Sequence, residues 1–411
     1  MKAISNSFFL YNRKADIQRN IMQPVLNGID IFLLNGDKTK RLGLLTNNAA
    51  VTRDYIASRK ALLNHGYHLV KLFSPEHGLD TTGEDGHLMN SCTDTLTGLP
   101  VVSLYGDKLA PDDADLADID LVLVDLPDIG SRFYTYLWTM TWVMESSARY
   151  NKPLIILDRP NPISGQLSLA EGPFLDEKFA SSFIGRWEMP LRHSCTLGEL
   201  ALYFNATRNL NCPVDVVRCE GWTREMMFHD WSASFVPASP AISSFESALL
   251  YPGLCLLEAT NLSEGRGTAV PFRVAGAPWM ESRLIAEQFN SLEIENVRAR
   301  EISFIPGAGK YGNLSCKGIM LHVSAPRSFY PVRTGLLLLK TIIDTHREEF
   351  HWETYKTHVN KSGEHHLDLL LGRSNSLRLF EADMSYFSDN IALLTDASRW
   401  ETMVAAFLLY N

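Results

Sequence analysis

Short, continuously apolar runs alternate with segments of helical spacing through the first part of the chain. The run "RLGLLTN" (Arg41 to Asn47) comes first. It is followed by "RDYIASRKALLNHG", whose apolar positions recur at helical spacing, with Thr52 placed to cap it and Gly66 to stop it. "YHLVKLF" (Tyr67 to Phe73), "LPVVSLYG" (around Val101 to Leu104) and the strongly apolar Leu121 to Val124 of "IDLVLVDLPDIG" give three more strands. "YLWTMTWVMESSARYN" predicts a helix from about Leu137 to Tyr150, and "KPLIILDRPNP" a strand from Leu154 to Leu157. Strands that are apolar on both faces, separated by helices, predict a mostly parallel sheet covered on both sides. The fold class is therefore α/β, Rossmann-like and doubly wound. No G-x-G-x-x-G follows any of these strands and no G-x-x-x-x-G-K-S/T occurs, so the architecture comes without a nucleotide fingerprint.

From about Gly172 to Pro278 the texture changes: Pro, Gly, Trp and Asn accumulate, with a helix expected near Leu197 to Asn205 and a strand near Val214 to Arg218. Long stretches of loop carrying aromatic and charged residues more often form sites than cores. After Trp279 the pattern becomes helix ("SRLIAEQFNSL"), strand ("GIMLHVS"), helix ("RTGLLLLKTIIDTHREEF") and a last helix ("RWETMVAAFLLYN"). Residues 1–279 are expected to form the catalytic Rossmann-like domain and residues 280–411 a smaller α+β auxiliary domain.

Composition narrows the classes. With 45% hydrophobic and 21% charged residues over 411 positions, the chain can bury a sizeable core. A formal net charge of −9 and the lack of a Lys/Arg run argue against nucleic acid and anionic membrane surfaces as partners. No apolar run approaches the roughly 20 residues of a membrane helix, so membrane insertion is not expected. The N-terminal piece Phe8 to Tyr11 is too short for an export signal. A cytoplasmic location is expected for the chain as it stands, a periplasmic or secreted one if a signal is removed. Cys92, Cys195, Cys212, Cys219, Cys255 and Cys316 are scattered without a CxxC pair, which predicts buried free thiols. His365-His366 has no evident third ligand, so no metal is expected.

Open parallel sheets bind ligands outside the carboxyl ends of their strands. At those ends the chain places Asn47-Asn48, then Ser74, Glu76 and His77, then Tyr105, then Asp125 and Asp128, then Asp158, Arg159 and Asn161. Glu76 is the sharpest candidate. Pro75 holds Ser74 extended and Gly78 permits a tight turn, so the carboxyl stays close to the strand end. A carboxyl group in a partly apolar cleft is raised by desolvation, which suits a general acid. "DLPDIGSRFYTY" adds Arg132 and Tyr134, and "EATNLSEGRGT" adds Glu258, Asn261, Glu264 and Arg266. His193 in "LRHSCTLGEL" is a further candidate.

Taken in order, "LFSPEHG", "GLPVVSLYG", "DLPDIGSRFYTY", "LDRPNP", "EGP", "YPGLCLLEATNLSEGRGT" and "GAPW" resemble the exo-acting β-N-acetylmuramidases, glycoside hydrolases of peptidoglycan breakdown. The resemblance spans about Arg41 to Trp279, and "HHLDLLLG" and "FLLY" extend it more loosely. It implies a Rossmann-like domain and a smaller one with the active site between them. It further implies release of N-acetylmuramic acid from the non-reducing ends of glycan fragments, without a metal or nucleotide cofactor. The family's S-P-E-H-G glutamate falls on Glu76. The chain departs from the family after this motif: it has "GEDGHL", with His87 near the place of an expected glutamate.

Glycosidases usually need two carboxyl groups about the scissile bond. Glu76 would be the acid. Asp128 and Glu264 are the candidates for the second group, and participation of the substrate's acetamido group is the alternative. Arg132, Arg159 and Arg266 are candidates for the lactyl carboxylate of muramic acid, which glucosamine lacks. His77, Tyr134, Asp158, Asn161, His193, Glu258 and Asn261 complete the expected substrate-binding set. A sugar transferase and a non-catalytic sugar-binding protein on the same fold are the competing readings.

Overall fold

The computed structural model describes residues 24–84, 86–87 and 90–411. Phe8 to Tyr11, and Asp85 of the "GEDGHL" stretch, lie outside the described residues. The larger sheet has seven strands: β1 (Arg41–Thr46), β2 (His68–Ser74), β3 (Cys92–Thr93), β4 (Pro100–Ser103), β5 (Leu121–Asp125), β6 (Leu154–Leu157) and β7 (Val214–Val217). Their order is β3-β4-β2-β1-β5-β6-β7. All neighbouring pairs are parallel except β3 with β4. Leu44 of β1 sits opposite Leu72 on one side and Leu123 on the other, and every residue of β5 is buried. This is the doubly wound arrangement that the apolar runs predict. The winding reverses between β1 and β5, which opens the crevice where such sheets hold ligands.

The helix Tyr136–Arg149 enters from that edge and is buried over most of its length, with Trp138 and Met140 fully enclosed. The helix Leu197–Thr207 begins where expected, because Thr196 accepts from the Glu199 N–H and the Glu199 side chain accepts from the Thr196 N–H. The helix expected directly after Thr52 is shorter. Thr52 Oγ1 accepts from the Ile56 N–H and Tyr55 adopts a positive φ of 60°, so the chain turns before Ser58–Asn64 becomes helical.

The smaller sheet contains β8 (Val274–Ala277), β9 (Val297–Phe304) and β10 (Cys316–Val323), antiparallel in the order β8-β10-β9. Because β8 pairs with β10, the small sheet already begins before residue 279, inside the stretch expected to belong to the first domain. The same stretch holds an unforeseen helix, Phe245–Leu254, packed on Pro331–Thr345. Gly253 and Gly335 make that approach possible. A Cβ on Gly253 would lie 2.0 Å from the Pro331 carbonyl oxygen, and one on Gly335 would lie 2.4 Å from that of Gly253. All six cysteines are free thiols, and all but Cys92 are buried.

Buried ionic groups tie together two parts of the molecule, the chain before the helix Phe245–Leu254 and the chain from that helix onward. Arg192 donates to the Ile163 carbonyl at 2.7 Å and to the Phe329 carbonyl at 2.9 Å. Glu171 accepts the backbone N–H groups of Val332 and Arg333, at 3.0 and 2.9 Å, at the start of the helix Pro331–Thr345. Burial pushes the Glu171 carboxyl up from 4.5 to about 7, against the opposing pull of Arg192 and the two N–H donors. The raised value means that the folded chain keeps a proton the unfolded chain releases. The associated stability is complete below 4.5 and is lost as pH rises toward about 7. The linkage amounts to about 3 kcal/mol. Urea unfolding from pH 4.5 to 7.5 should therefore show a flatter decline in Glu171→Gln than in the wild type. Parallel declines would remove Glu171 from this role.

Candidate active site

β2 ends at Ser74, and the chain reverses at once. The Gly78 N–H reaches the Pro75 carbonyl at 3.1 Å, while His77 and Gly78 take positive φ values of 66° and 73°. This turn directs Glu76 inward, leaving it 5% exposed. Its Oε1 accepts from the Gly86 N–H at 3.0 Å, and its Oε2 accepts from the Thr135 hydroxyl at 2.7 Å. Thr135 immediately precedes the helix Tyr136–Arg149, so β2 and that helix jointly fix the carboxylate. His77 is held by its own turn: Nδ1 lies 2.9 Å from the Gly83 carbonyl, and the ring faces Tyr136 edge-on at 6.5 Å.

Glu76 and His77 line a cavity between the two parts of the molecule. The first part adds Tyr105, Tyr134 and Thr135; the second adds Tyr251, Glu258, Arg266, Phe272, Tyr355 and His366. Tyr134, Tyr251 and Phe272 stand edge to face in sequence, 6.0 and 4.7 Å apart, and form an aromatic wall across the joint.

Glu258 is the other carboxylate among the residues that line this cavity. Arg266 donates to Glu258 Oε1 at 2.5 Å and to Glu264 Oε1 at 2.6 Å, and its guanidinium lies 5.0 Å over the Phe272 ring. His366 Nε2 lies 3.2 Å from Glu258 Oε2, and its ring stacks on Tyr355 at 4.6 Å. Lys310, partly buried, donates to the Leu257 and Glu258 carbonyls, both at 2.9 Å. Desolvation lowers its ammonium from the ordinary value, and Glu264, Glu258 and Glu353 oppose that shift.

Other expected site residues lie elsewhere. Arg132 is sealed in the interior, donating to the carbonyls of Pro173 and Leu370 at 2.7 Å and of Met189 at 3.0 Å. Its side chain is spent on backbone, so it does not meet a substrate carboxylate in this cavity. Arg159 forms a fork with Asp125 at 2.5 and 3.0 Å. Asp158 is a structural anion. It accepts from Gly198 N–H, the Thr196 hydroxyl and the Tyr410 hydroxyl, at 2.8, 2.7 and 2.6 Å, and burial raises it to about 6. Asn161 caps its own loop and donates to the Cys195 carbonyl at 3.0 Å. Asn261 pairs with the backbone of Glu349 and His351. His193 is fully buried, its Nδ1 accepting from the Cys195 N–H. Asp128 faces a different cavity, and Glu264 stands behind Arg266 rather than among the cavity-lining residues. His87 is exposed beside Glu84.

Two family models divide the chain between them. Residues 42–246 match "Exo-beta-N-acetylmuramidase NamZ, N-terminal", and residues 249–410 match its C-terminal counterpart. The chain belongs to the NamZ exo-β-N-acetylmuramidase family. It is 40% identical over 330 residues to the peptidoglycan β-N-acetylmuramidase NamZ of Bacillus subtilis (strain 168), covering 79% of each chain. A crystal structure of a DUF1343 family protein from Bacteroides fragilis NCTC 9343 superimposes with a TM-score of 0.83 at 28% identity, covering 94% of this chain and 99% of that one. A second such protein from the same strain gives 0.70 at 27% identity over the same shares.

Thr135, Tyr355 and His366 line the Glu76 cavity without having been singled out as site residues, and Lys310 adjoins it through the Glu258 carbonyl. Thr135 stood inside "SRFYTY", a stretch already rich in candidates. His366 was visible only as half of a histidine pair, because its partner Glu258 is over a hundred positions away. Among the described residues, no group of three or more His, Cys, Asp or Glu side chains is placed to hold a metal ion.

The placement of Arg132 changes what its removal does. Arg132→Met should leave three buried carbonyls without donors and cost about 3 kcal/mol or more. In urea unfolding its midpoint should fall well below that of the wild type. The ratio of kcat/KM for muramic acid over glucosamine glycosides should stay unchanged in the folded protein. A selective loss on the muramic acid substrate with intact stability would return Arg132 to the binding site.

Proposed function

We propose that this protein is an exo-acting glycoside hydrolase that releases N-acetylmuramic acid from the non-reducing ends of peptidoglycan fragments. The observation that carries the reading is that Glu76 and Glu258, each from a different part of the molecule, line one aromatic-walled cavity. The name of the Bacillus relative supports the substrate class.

In this reading Glu76 protonates the departing glycosidic oxygen. The Thr135 hydroxyl suits that role, because a hydroxyl donates to a carboxylate and accepts from a carboxylic acid. It can stay in place as Glu76 gives up and regains its proton. Glu258 is the second carboxylate, facing the anomeric carbon or its attacking water. Arg266 and His366 fix its orientation through separate oxygens, and Lys310 fixes its backbone. The aromatic wall packs against the apolar face of the sugar ring.

The charges of Glu258 and Glu264 are balanced locally by Arg266 and Lys310. A lactyl carboxylate entering beside Arg266 therefore does not meet a net negative cluster there. Arg266 is the proposed contact for that group, because of the three candidate arginines it is the one that lines the cleft.

Glu76→Gln and Glu258→Gln should each lower turnover of a muramic acid–glucosamine disaccharide by about 10²–10⁴-fold, with products separated by mass. Near-normal turnover in either variant would take that residue out of the mechanism. A disaccharide that the wild type binds but does not cleave would identify a sugar-binding protein instead. Arg266→Lys keeps the charge and loses the planar fork. Its kcat/KM on a chromogenic muramic acid glycoside should fall by about tenfold or more, from the loss of one charge-assisted bond. An unchanged value would exclude Arg266 as a contact.

A further inference from the structure

Two separate cavities lie along the carboxyl edge of the large sheet. One is the Glu76 cleft. The other is lined by Val51 after β1, Asp128 after β5 and Arg159 after β6, and no residue lines both. Two stretches of chain run between them. In the first, Ile129 lines the second cavity and Phe133 the cleft. In the second stretch, Ala238 lines the second cavity and the next residue, Ser239, lines the cleft. Ala238 and Ser239 are both buried, so this stretch stands as a wall between the two spaces.

The wall is stiff and pinned. It belongs to the stretch "FVPASPAI" (Phe235 to Ile242). Pro237 and Pro240 fix their own φ and bias Val236 and Ser239 toward extended backbone, because the residue before a proline is disfavoured in the helical region. Both prolines are exposed and neither lines a cavity, so they stiffen the wall without filling the space on either side. Phe235 stands edge-on to Phe228 at 5.1 Å, and the Tyr55 hydroxyl accepts the Ser234 N–H at 2.6 Å. The fully buried Tyr136 supplies the pin, donating its hydroxyl to the Ala238 carbonyl at 2.9 Å. Tyr136 directly follows Thr135, whose hydroxyl holds Glu76 Oε2 at 2.7 Å. Two consecutive residues at one helix start thus keep the Glu76 carboxyl and the wall in a fixed relation.

We infer, on the function proposed above, that this wall restricts the enzyme to chain ends. Ser239 and Ile242, which line the cleft, stop the terminal pyranose on the side of its O4, and Tyr136 sets how far the wall stands from Glu76. Each ring of such a glycan is joined through its anomeric carbon to O4 of the next, so an internal ring carries a sugar at both ends. When Glu76 meets the glycosidic oxygen at one end of a ring, O4 lies at the far end. A free O4 hydroxyl needs little room beyond it, whereas a substituted one needs room for a further ring. Along this edge of the sheet that room lies in the second cavity, and the wall closes the passage to it. A stiff wall rejects the longer chain by overlap, which discriminates more strongly than the mere lack of a contact.

The test compares the disaccharide of muramic acid linked to glucosamine with the trisaccharide that carries a further glucosamine on O4 of the muramic acid. Binding is read by calorimetry on full-length Glu76→Gln protein, and cleavage by mass in the enzyme that keeps Glu76. The unaltered wall should admit the disaccharide and exclude the trisaccharide. Pro237→Gly with Pro240→Gly loosens the wall at exposed positions, and Tyr136→Phe removes its pin. Either change should raise the trisaccharide-to-disaccharide ratio in binding and in kcat/KM, and all of them together should raise it by about tenfold or more. If Tyr136 served only the fold or the placement of Glu76, both sugars would lose alike and the ratio would not move. The proposal is overturned if the unaltered protein takes the trisaccharide as readily as the disaccharide. It is also overturned if the ratio stays fixed in the proline variant, whose folding is checked by urea unfolding. Selective binding of the disaccharide without cleavage would sink the proposed activity and leave the wall standing. Cleavage of both sugars would do the reverse, and binding of neither would overturn both.

Discussion

A guanidinium with no exposure to solvent holds the molecule's two parts in register. Arg132 comes from the first part, and its Nη2 reaches the Leu370 carbonyl in the second. Removing a charge from water is costly unless its donors are matched. Three carbonyls on Nη1 and Nη2 offset much of that cost here, with Nε left unpartnered, and burial pulls the guanidinium down only to about 9, so it remains protonated at neutral pH. The contact is close enough that a Cβ on Gly372 would lie 2.7 Å from Nη2. Arg192 and Glu171 repeat the arrangement nearby, the first on the Phe329 carbonyl and the second on a helix start. The C-terminal tail adds to it, with the Tyr410 hydroxyl on Asp158 and the Leu409 N–H on Glu199. The cleft lies beside these links and inherits its shape from them.

Strand positions in the first part were legible because a parallel sheet buries both faces. Leu121 to Val124 and Leu154 to Leu157 can be little else. The stretch before Pro278 was harder. The helix Phe245–Leu254 carries a Pro and a Gly near its end, signals that ordinarily punctuate loops, and is stabilised by packing on a helix some eighty residues later. β8 is only four residues long and contains a glycine, so its identity depends on pairing with β10.

Site residues divide along the same line. The placement of Glu76 in the cavity was legible because its geometry is local: a strand end, a proline and a glycine set it. Glu258 was seen as polar and nearby, but its role depends on Arg266, His366 and Lys310, which converge only in the folded chain. Arg132 misled for the complementary reason. Arginine beside glycine and tyrosine is the composition of a carboxylate-binding loop and also of a buried tie, and sequence composition does not register burial. Asp158, Arg159 and Asn161 follow the same rule. At the end of a parallel strand a polar residue can face a ligand or cap the next helix, and here Asp158 caps the helix Leu197–Thr207.

The division of the two glutamates between separate parts explains why the joint is polar. Catalytic groups must hold their positions to well within an ångström, and small misplacements cost rate steeply. Apolar contact alone is non-directional. Two apolar faces can slide with little change in buried area, and a cleft whose carboxylates sit on opposite faces would then lose its spacing. Hydrogen bonds from a planar guanidinium to fixed carbonyls weaken sharply with angle and distance. Arg132 and Arg192 therefore convert sliding into the loss of specific buried bonds. The aromatic wall of Tyr134, Tyr251 and Phe272 adds shape across the same seam. On the roles proposed for these two glutamates, the buried ions are there for position more than for stability, and they keep Glu76 and Glu258 in one fixed relation.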